Sequence, residues 1–182
     1  SSQIPAPQDL TFSSDGLKMY IIGVNGTAEI HQYDLTVAWD VTSASYSSDL
    51  LDVSLQETNP KGLTFKTDGT SMYISGQDDY VYQYDLTVAW DVTGGNSYVG
   101  SMNTTAGTVG FSHSLEFSPD GKKLYTLDRT NRYIYQYNLD VEWDVTSGSY
   151  SGKSFLTYSA TATPNALRFS SDGTKLYVGN AT

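Results

Sequence analysis

The 182-residue sequence contains no cysteine. That absence excludes disulfides, thiol catalysis and thiolate metal sites, while leaving the compartment open. Histidine is nearly absent too, with only His31 and His113 present, so acid–base chemistry near neutral pH has few carriers. Lys and Arg total 10 against 20 Asp and Glu, a net charge of −10. A phosphate backbone is held by clustered cations, so nucleic acid is not an expected partner; the charge itself serves solubility. No run is apolar enough for a membrane-spanning helix, and the first residues show no secretory pattern. The chain opens on Ser1 rather than Met, which raises the expectation of processing or of a longer parent. No segment of useful length has helical periodicity, and no nucleophile elbow, phosphate loop or dinucleotide fingerprint occurs.

What is abundant is tyrosine, 15 residues, with Thr, Val, Ser, Gly and Asp, a composition of strands and turns. Gln-Tyr-Asp-Leu-Thr-Val-Ala-Trp-Asp-Val-Thr occupies residues 32–42 and recurs unchanged at 83–93. A third copy at 136–146 differs only at Asn138, Asp140 and Glu142. Four Asp-Gly pairs, beginning at Asp15, Asp68, Asp120 and Asp172, are spaced 53, 52 and 52 residues apart. A period of this length built of strand-like pieces predicts an all-β fold of the β-propeller type, each unit a four-stranded antiparallel blade.

Each unit reads alike. Strand A carries an apolar-x-aromatic pattern, Leu10-Thr11-Phe12 in the first unit. The Asp-Gly makes the following hairpin turn, where glycine supplies a positive φ. Strand B centres on Tyr20, Tyr73, Tyr125 and Tyr177, and strand C covers 30–35, 81–86 and 134–139. The Trp-Asp-Val-Thr phrase is the C-to-D connection. Its Trp is expected to plug apolar space between blades, and Asp40, Asp91 and Asp144 to cap the turn. Strand D is expected near 50–55 in the first unit.

The whole chain, 1–182, is read as a single repeat domain with units of approximately 8–59, 60–111, 112–163 and a partial 164–182. That is about 3.5 blades, and a ring left incomplete within one chain exposes a sheet edge. Either the rest of a longer protein or other chains complete the sheet. Association into a homo-oligomer or longer assembly is the expectation.

The segment Phe117-Ser118-Pro119-Asp120-Gly121-Lys122-Lys123-Leu124-Tyr125 resembles the signature of lactonase-like and surface-layer propeller repeats. Residues 65–73 with 84–93 look more closely like a repeat of about fifty residues found in phage tail and virion proteins and in secreted bacterial proteins. The resemblance implies a propeller displayed outside a cell or on a virion surface, and names no reaction.

Set against one another, the copies place their length variation in the B-to-C loop. From the strand B Tyr to the strand C Gln the distances are 12, 10 and 11 residues. In a propeller these loops share a face with the approach to strand A, where Gln8, Lys61, His113 and Asn165 are equivalent. With Asp78, Asp79, Arg129 and Arg132 of the loops, they are the candidate ligand-binding residues. A carbohydrate or protein ligand suits this polar mixture, and Tyr80, Tyr82, Tyr133 and Tyr135 offer rings for stacking, although Tyr82 and Tyr135 align with His31 and so suit packing better.

No catalytic residue is assigned. His113 and Glu116 are three apart on a strand and point to opposite faces. No cofactor is expected; Asp78, Asp79 and Asp128 offer hard oxygen donors that suit calcium, but no EF-hand loop is present. Glycosylation sequons stand at Asn25, Asn103 and Asn180. The expected role is a non-enzymatic recognition module that assembles through its open blade edge. A lactonase-like hydrolase using Lys61, His113 and Asn165, and a glycan-binding lectin, are the alternatives.

Overall fold

A computed structural model describes residue 4 and residues 6–105, 110–157 and 163–181. The first blade contains β1 (Ala6–Phe12), β2 (Lys18–Val24), β3 (Ala28–Leu35) and β4 (Ala44–Asp52). The second contains β5 (Pro60–Phe65), β6 (Ser71–Gly76), β7 (Tyr80–Leu86) and β8 (Asn96–Asn103). The third contains β9 (Ser112–Phe117), β10 (Lys123–Asp128), β11 (Tyr133–Leu139) and β12 (Gly148–Leu156). A two-stranded sheet of β13 (Thr163–Phe169) and β14 (Leu176–Ala181) follows. In every blade the strands pair in chain order and antiparallel. The architecture is the expected one, three four-stranded blades and a half.

Strand D departs from the expectation. β4 starts at Ala44, directly after a 3₁₀ turn at Val41–Ser43, and ends at Asp52 rather than running 50–55. Its counterpart in the third blade, β12, shows why: almost every residue of that outer strand is exposed, so there is no buried alternate face to leave a pattern in the sequence.

The Asp-Gly turn and the Trp phrase form one unit. Asp15 accepts from the Ser13 hydroxyl and from the Leu17 amide, and Gly16 takes φ 71°. Trp39 then donates its backbone N–H to the Gly16 carbonyl at 3.0 Å, as Trp90 does to Gly69 and Trp143 to Gly121. The three tryptophans all hold φ near 64°, a costly left-handed conformation for a bulky residue. It is offset by laying the indole on the glycine: a Cβ at Gly69 would stand 2.3 Å from the ring of Trp90. Asp40 and Asp144 cap the following 3₁₀ turns through the amides of Thr42 and Thr146, as expected.

The hydrophobic cores lie between blades. One cluster joins Tyr20, Ile22 and Ile30 of the first blade to Leu63, Phe65, Met72 and Val92 of the second. Another joins Tyr73 and Val81 to Leu115, Phe117, Leu124 and Val145. At the two complete junctions the valine after the Trp-Asp is the fully buried plug, with Val92 and Val145 0% exposed, and Trp90 and Trp143 pack partly buried against the same clusters; in the first blade Trp39 and Val41 are both exposed. Each such buried valine is worth about 1.5–3 kcal/mol. Two hydrogen bonds accompany it across the blade junction. The Tyr20 and Tyr73 hydroxyls donate to the Trp90 and Trp143 carbonyls at 2.6 Å. The Gln32 and Gln83 side-chain oxygens accept from the amides of Val92 and Val145 at 3.3 and 3.0 Å.

Candidate functional site at the mouth of the blade array

The A strands β1, β5, β9 and β13 are sequential neighbours along the inner side, joined by side chains that reach the next backbone. Asp9 accepts from the Leu63 amide at 2.9 Å, and Ser114 from the Leu167 amide at 3.2 Å. Gln8 and His113, which precede Asp9 and Ser114, and Lys61, at the equivalent position of β5, therefore recur at the same height on adjacent strands. Lys61 donates from Nζ to Gln8 Oε1 at 2.9 Å. His113 Nε2 lies 3.2 Å from Nη1 of Arg129, which arrives from the loop after β10.

Lys61, His113 and Arg129 line one open cavity of about 410 Å³ together with Gln77, Phe111 and Thr130. Burial is the largest cause lowering the His113 pKa to about 4, with the cations Arg129 and Lys61 adding to it. The imidazole is thus neutral at pH 7, and its Nε2 accepts the Arg129 proton. Lys61 is itself lowered by burial and by Arg129, with Glu57 opposing. Two cations, Lys61 and Arg129, thus face one cavity in a chain of net charge −10.

The other sequence-predicted residues lie apart from that cavity lining. The Asn165 side-chain oxygen is buried and unbonded among the described residues. Asp78 accepts from the Tyr82 hydroxyl and sits beside Glu57. Burial, a hydrogen bond with Asp78 and repulsion from its charge raise the Glu57 pKa to about 7. The Glu57 carboxylate lies over Gly76, leaving no room for a Cβ there. Asp79 and Arg132 are equivalent turn residues with φ of 66° and 63°. Their carbonyls accept from both amide and hydroxyl of Thr104 and Thr157, so the backbone fixes them. Asp79 is raised by burial despite its bond from the Gly110 amide.

Glu57 and Phe111 were not singled out from sequence; Glu57 falls in the irregular approach to β5, where the repeats do not align. Glu116, by contrast, turns to the neighbouring strand and accepts from the Phe169 amide at 3.0 Å, away from His113. His31 is buried, hydrogen-bonded to Glu29 at 2.9 Å and stacked on Tyr46. Tyr82 and Tyr135 are buried, whereas Tyr80 is exposed beside Tyr82 at 6.0 Å between ring centres. Among the described residues no group of three acidic or histidine side chains gathers to hold a metal ion.

This geometry is a propeller-type fold with a basic mouth cavity. Comparison of the sequence with protein-family models and with curated proteins gives no match. Among solved structures the chain is similar to a candidate 6-phosphogluconolactonase of Bacteroides fragilis, with TM-score 0.62 and 18% identity, covering 89% of this chain and 41% of that one. It is also similar to the hydrazine synthase of Kuenenia stuttgartiensis, with TM-score 0.61 and 18% identity, covering 98% and 43%. The chain therefore spans less than half the length of either, and the likeness is one of fold.

Proposed function

We propose that this chain is a non-enzymatic recognition module, displayed outside a cell or on a virion surface, that holds an anionic carbohydrate by its acidic group. The observation that carries the reading is the convergence of Lys61 and Arg129 on one cavity beside an uncharged His113. A carboxylate placed there accepts from both cations and relieves their mutual repulsion. Gln77 and Thr130 supply uncharged partners for hydroxyls, and Phe111, which is exposed, supplies a ring face. A panel of uronic-acid and neutral glycans tests this. Retention confined to uronic acids supports the reading, and equal retention of neutral glycans overturns it.

The second reading is hydrolysis, favoured by the likeness to a candidate lactonase. Neutral His113 has the charge state of a base, but its Nε2 lone pair is taken by Arg129. Lactone hydrolysis lost in His113→Ala would support this second reading over binding alone.

A further inference from the structure

At each complete blade junction four features recur. The strand B tyrosine of one blade packs with a tilted ring on the strand A phenylalanine of the next, Tyr20 on Phe65 at 4.6 Å and Tyr73 on Phe117 at 4.4 Å between ring centres. That phenylalanine packs, also tilted, on its own blade's tryptophan, Phe65 on Trp90 at 5.2 Å and Phe117 on Trp143 at 5.0 Å. The tyrosine hydroxyl donates to the carbonyl of that tryptophan, and the strand C glutamine accepts from the valine two residues later.

At the third junction half of this set stands ready. Tyr125 packs with a tilted ring on Phe169 at 4.7 Å, and the fourth Asp-Gly turn is closed, with Gly173 at φ 69°. A Cβ on Gly173 would meet nothing within 4 Å, whereas on Gly69 or Gly121 it would strike an indole. A cavity of about 170 Å³ lies there, bounded by Tyr125, Phe169 and Gly173. A second, of about 150 Å³, runs past Gln136 and Leu176 to Phe155. The core of this junction is correspondingly thin, with Leu127, Ile134 and Leu167 buried and Tyr125, Phe169, Leu176 and Val178 only partly covered.

We propose that the 170 Å³ cavity is an indole site, and that β14 with this site docks the C–D hairpin of a further repeat of the same type. The occupant places its tryptophan on Gly173 and Phe169. Its tryptophan carbonyl accepts from Tyr125, its following valine amide donates to Gln136, and its strand C pairs with the edge of β14. The folded hairpins of a second copy do not qualify, because β3, β7 and β11 are each already paired on both sides. The occupant is therefore polypeptide outside the described residues, bearing the Gln-Tyr-x-Leu and Trp-Asp-Val-Thr phrases.

The test is a fusion in which the sequence of residues 133–156 is appended to the full chain through a flexible linker. Tethering gives a high effective concentration, so a hairpin too weak to fold alone is still assayed. The expected result is a raised Tm and a more ordered near-ultraviolet tyrosine signal. The same fusion with Trp→Ala in the appended hairpin is expected to lose most of the gain, as is the fusion carrying Gly173→Leu. Equal Tm for the Trp and Ala fusions would overturn the indole site, and no change in Tm with any fusion would overturn the docking edge. A labelled free peptide of the same sequence is the second measurement, with binding to the full chain at least tenfold tighter than for its Trp→Ala form expected. Equal binding of the two peptides contradicts the proposal. Uronic-acid binding, measured on the same proteins, reports on the mouth cavity independently.

Discussion

Tyr73 donates its hydroxyl to the carbonyl of Trp143 at 2.6 Å, across 70 residues of chain and one blade junction. Its ring is 0% exposed and burial raises its pKa, so the hydroxyl stays a donor at any ordinary pH. The same bond joins Tyr20 to Trp90. The repeated tyrosine and the repeated tryptophan are therefore two halves of a single fastening between blades.

Tyr73→Phe leaves the Trp143 carbonyl buried without its donor, which costs about 1–3 kcal/mol. Tyr125→Phe, whose ring has no such partner among the described residues, is expected to cost a few tenths of that. Urea unfolding of both variants measures the difference. Equal losses would mean that the hydroxyl bond contributes nothing beyond ring packing.

Glycine at the turn is required by the indole more than by the backbone. Gly69→Ala places a methyl group 2.3 Å from the Trp90 ring at φ 74°. Overpacking and left-handed strain together cost about 2–5 kcal/mol. Gly173→Ala meets the strain alone and is expected to cost about 1–2 kcal/mol. Thermal unfolding of the pair separates the two terms.

Two buried groups set opposite pH dependences. Glu57 is raised from 4.5 to about 7, so the folded chain keeps a proton that the unfolded chain releases, and stability falls as pH rises from 4.5 to 7. His113 is lowered from 6.5 to about 4, so the unfolded chain takes up a proton first, and stability falls as pH drops from 6.5 to 4. Glu57→Gln is expected to remove the loss toward neutral pH, and His113→Gln the loss toward acid. Unfolding free energies at pH 4.5, 5.5 and 7 check both, since a variant with an unchanged profile would clear that residue of the role.

The blades were legible because turn chemistry repeats. Asp-Gly and Trp-Asp mark two corners of every blade, and the tyrosine five residues after each turn aspartate marks strand B. The outer strands were harder to place because most of their residues are exposed and only single side chains such as Leu51 and Met102 reach the core, so no alternation locates β4. The inter-blade bond from Val145 to Gln83 spans 62 residues, a distance at which sequence spacing carries no geometric information. The mouth cavity was half visible. Alignment of the repeats gave Lys61 and His113 one height, but Arg129 reaches His113 from a loop whose length differs in every unit.

The most direct measurement is calorimetric titration of glucuronate, as a probe for the acidic group, into the unaltered chain and into Lys61→Gln and Arg129→Gln. The account predicts saturable one-to-one binding that weakens with salt and falls about tenfold or more in each variant, since a charge-assisted hydrogen bond contributes about 1.5–3 kcal/mol. Asp172→Asn, in the exposed fourth Asp-Gly turn and outside the cavity lining, is expected to bind as the unaltered chain does. Glucuronate affinity unchanged in both cation variants, or no binding to the folded chain, would contradict it.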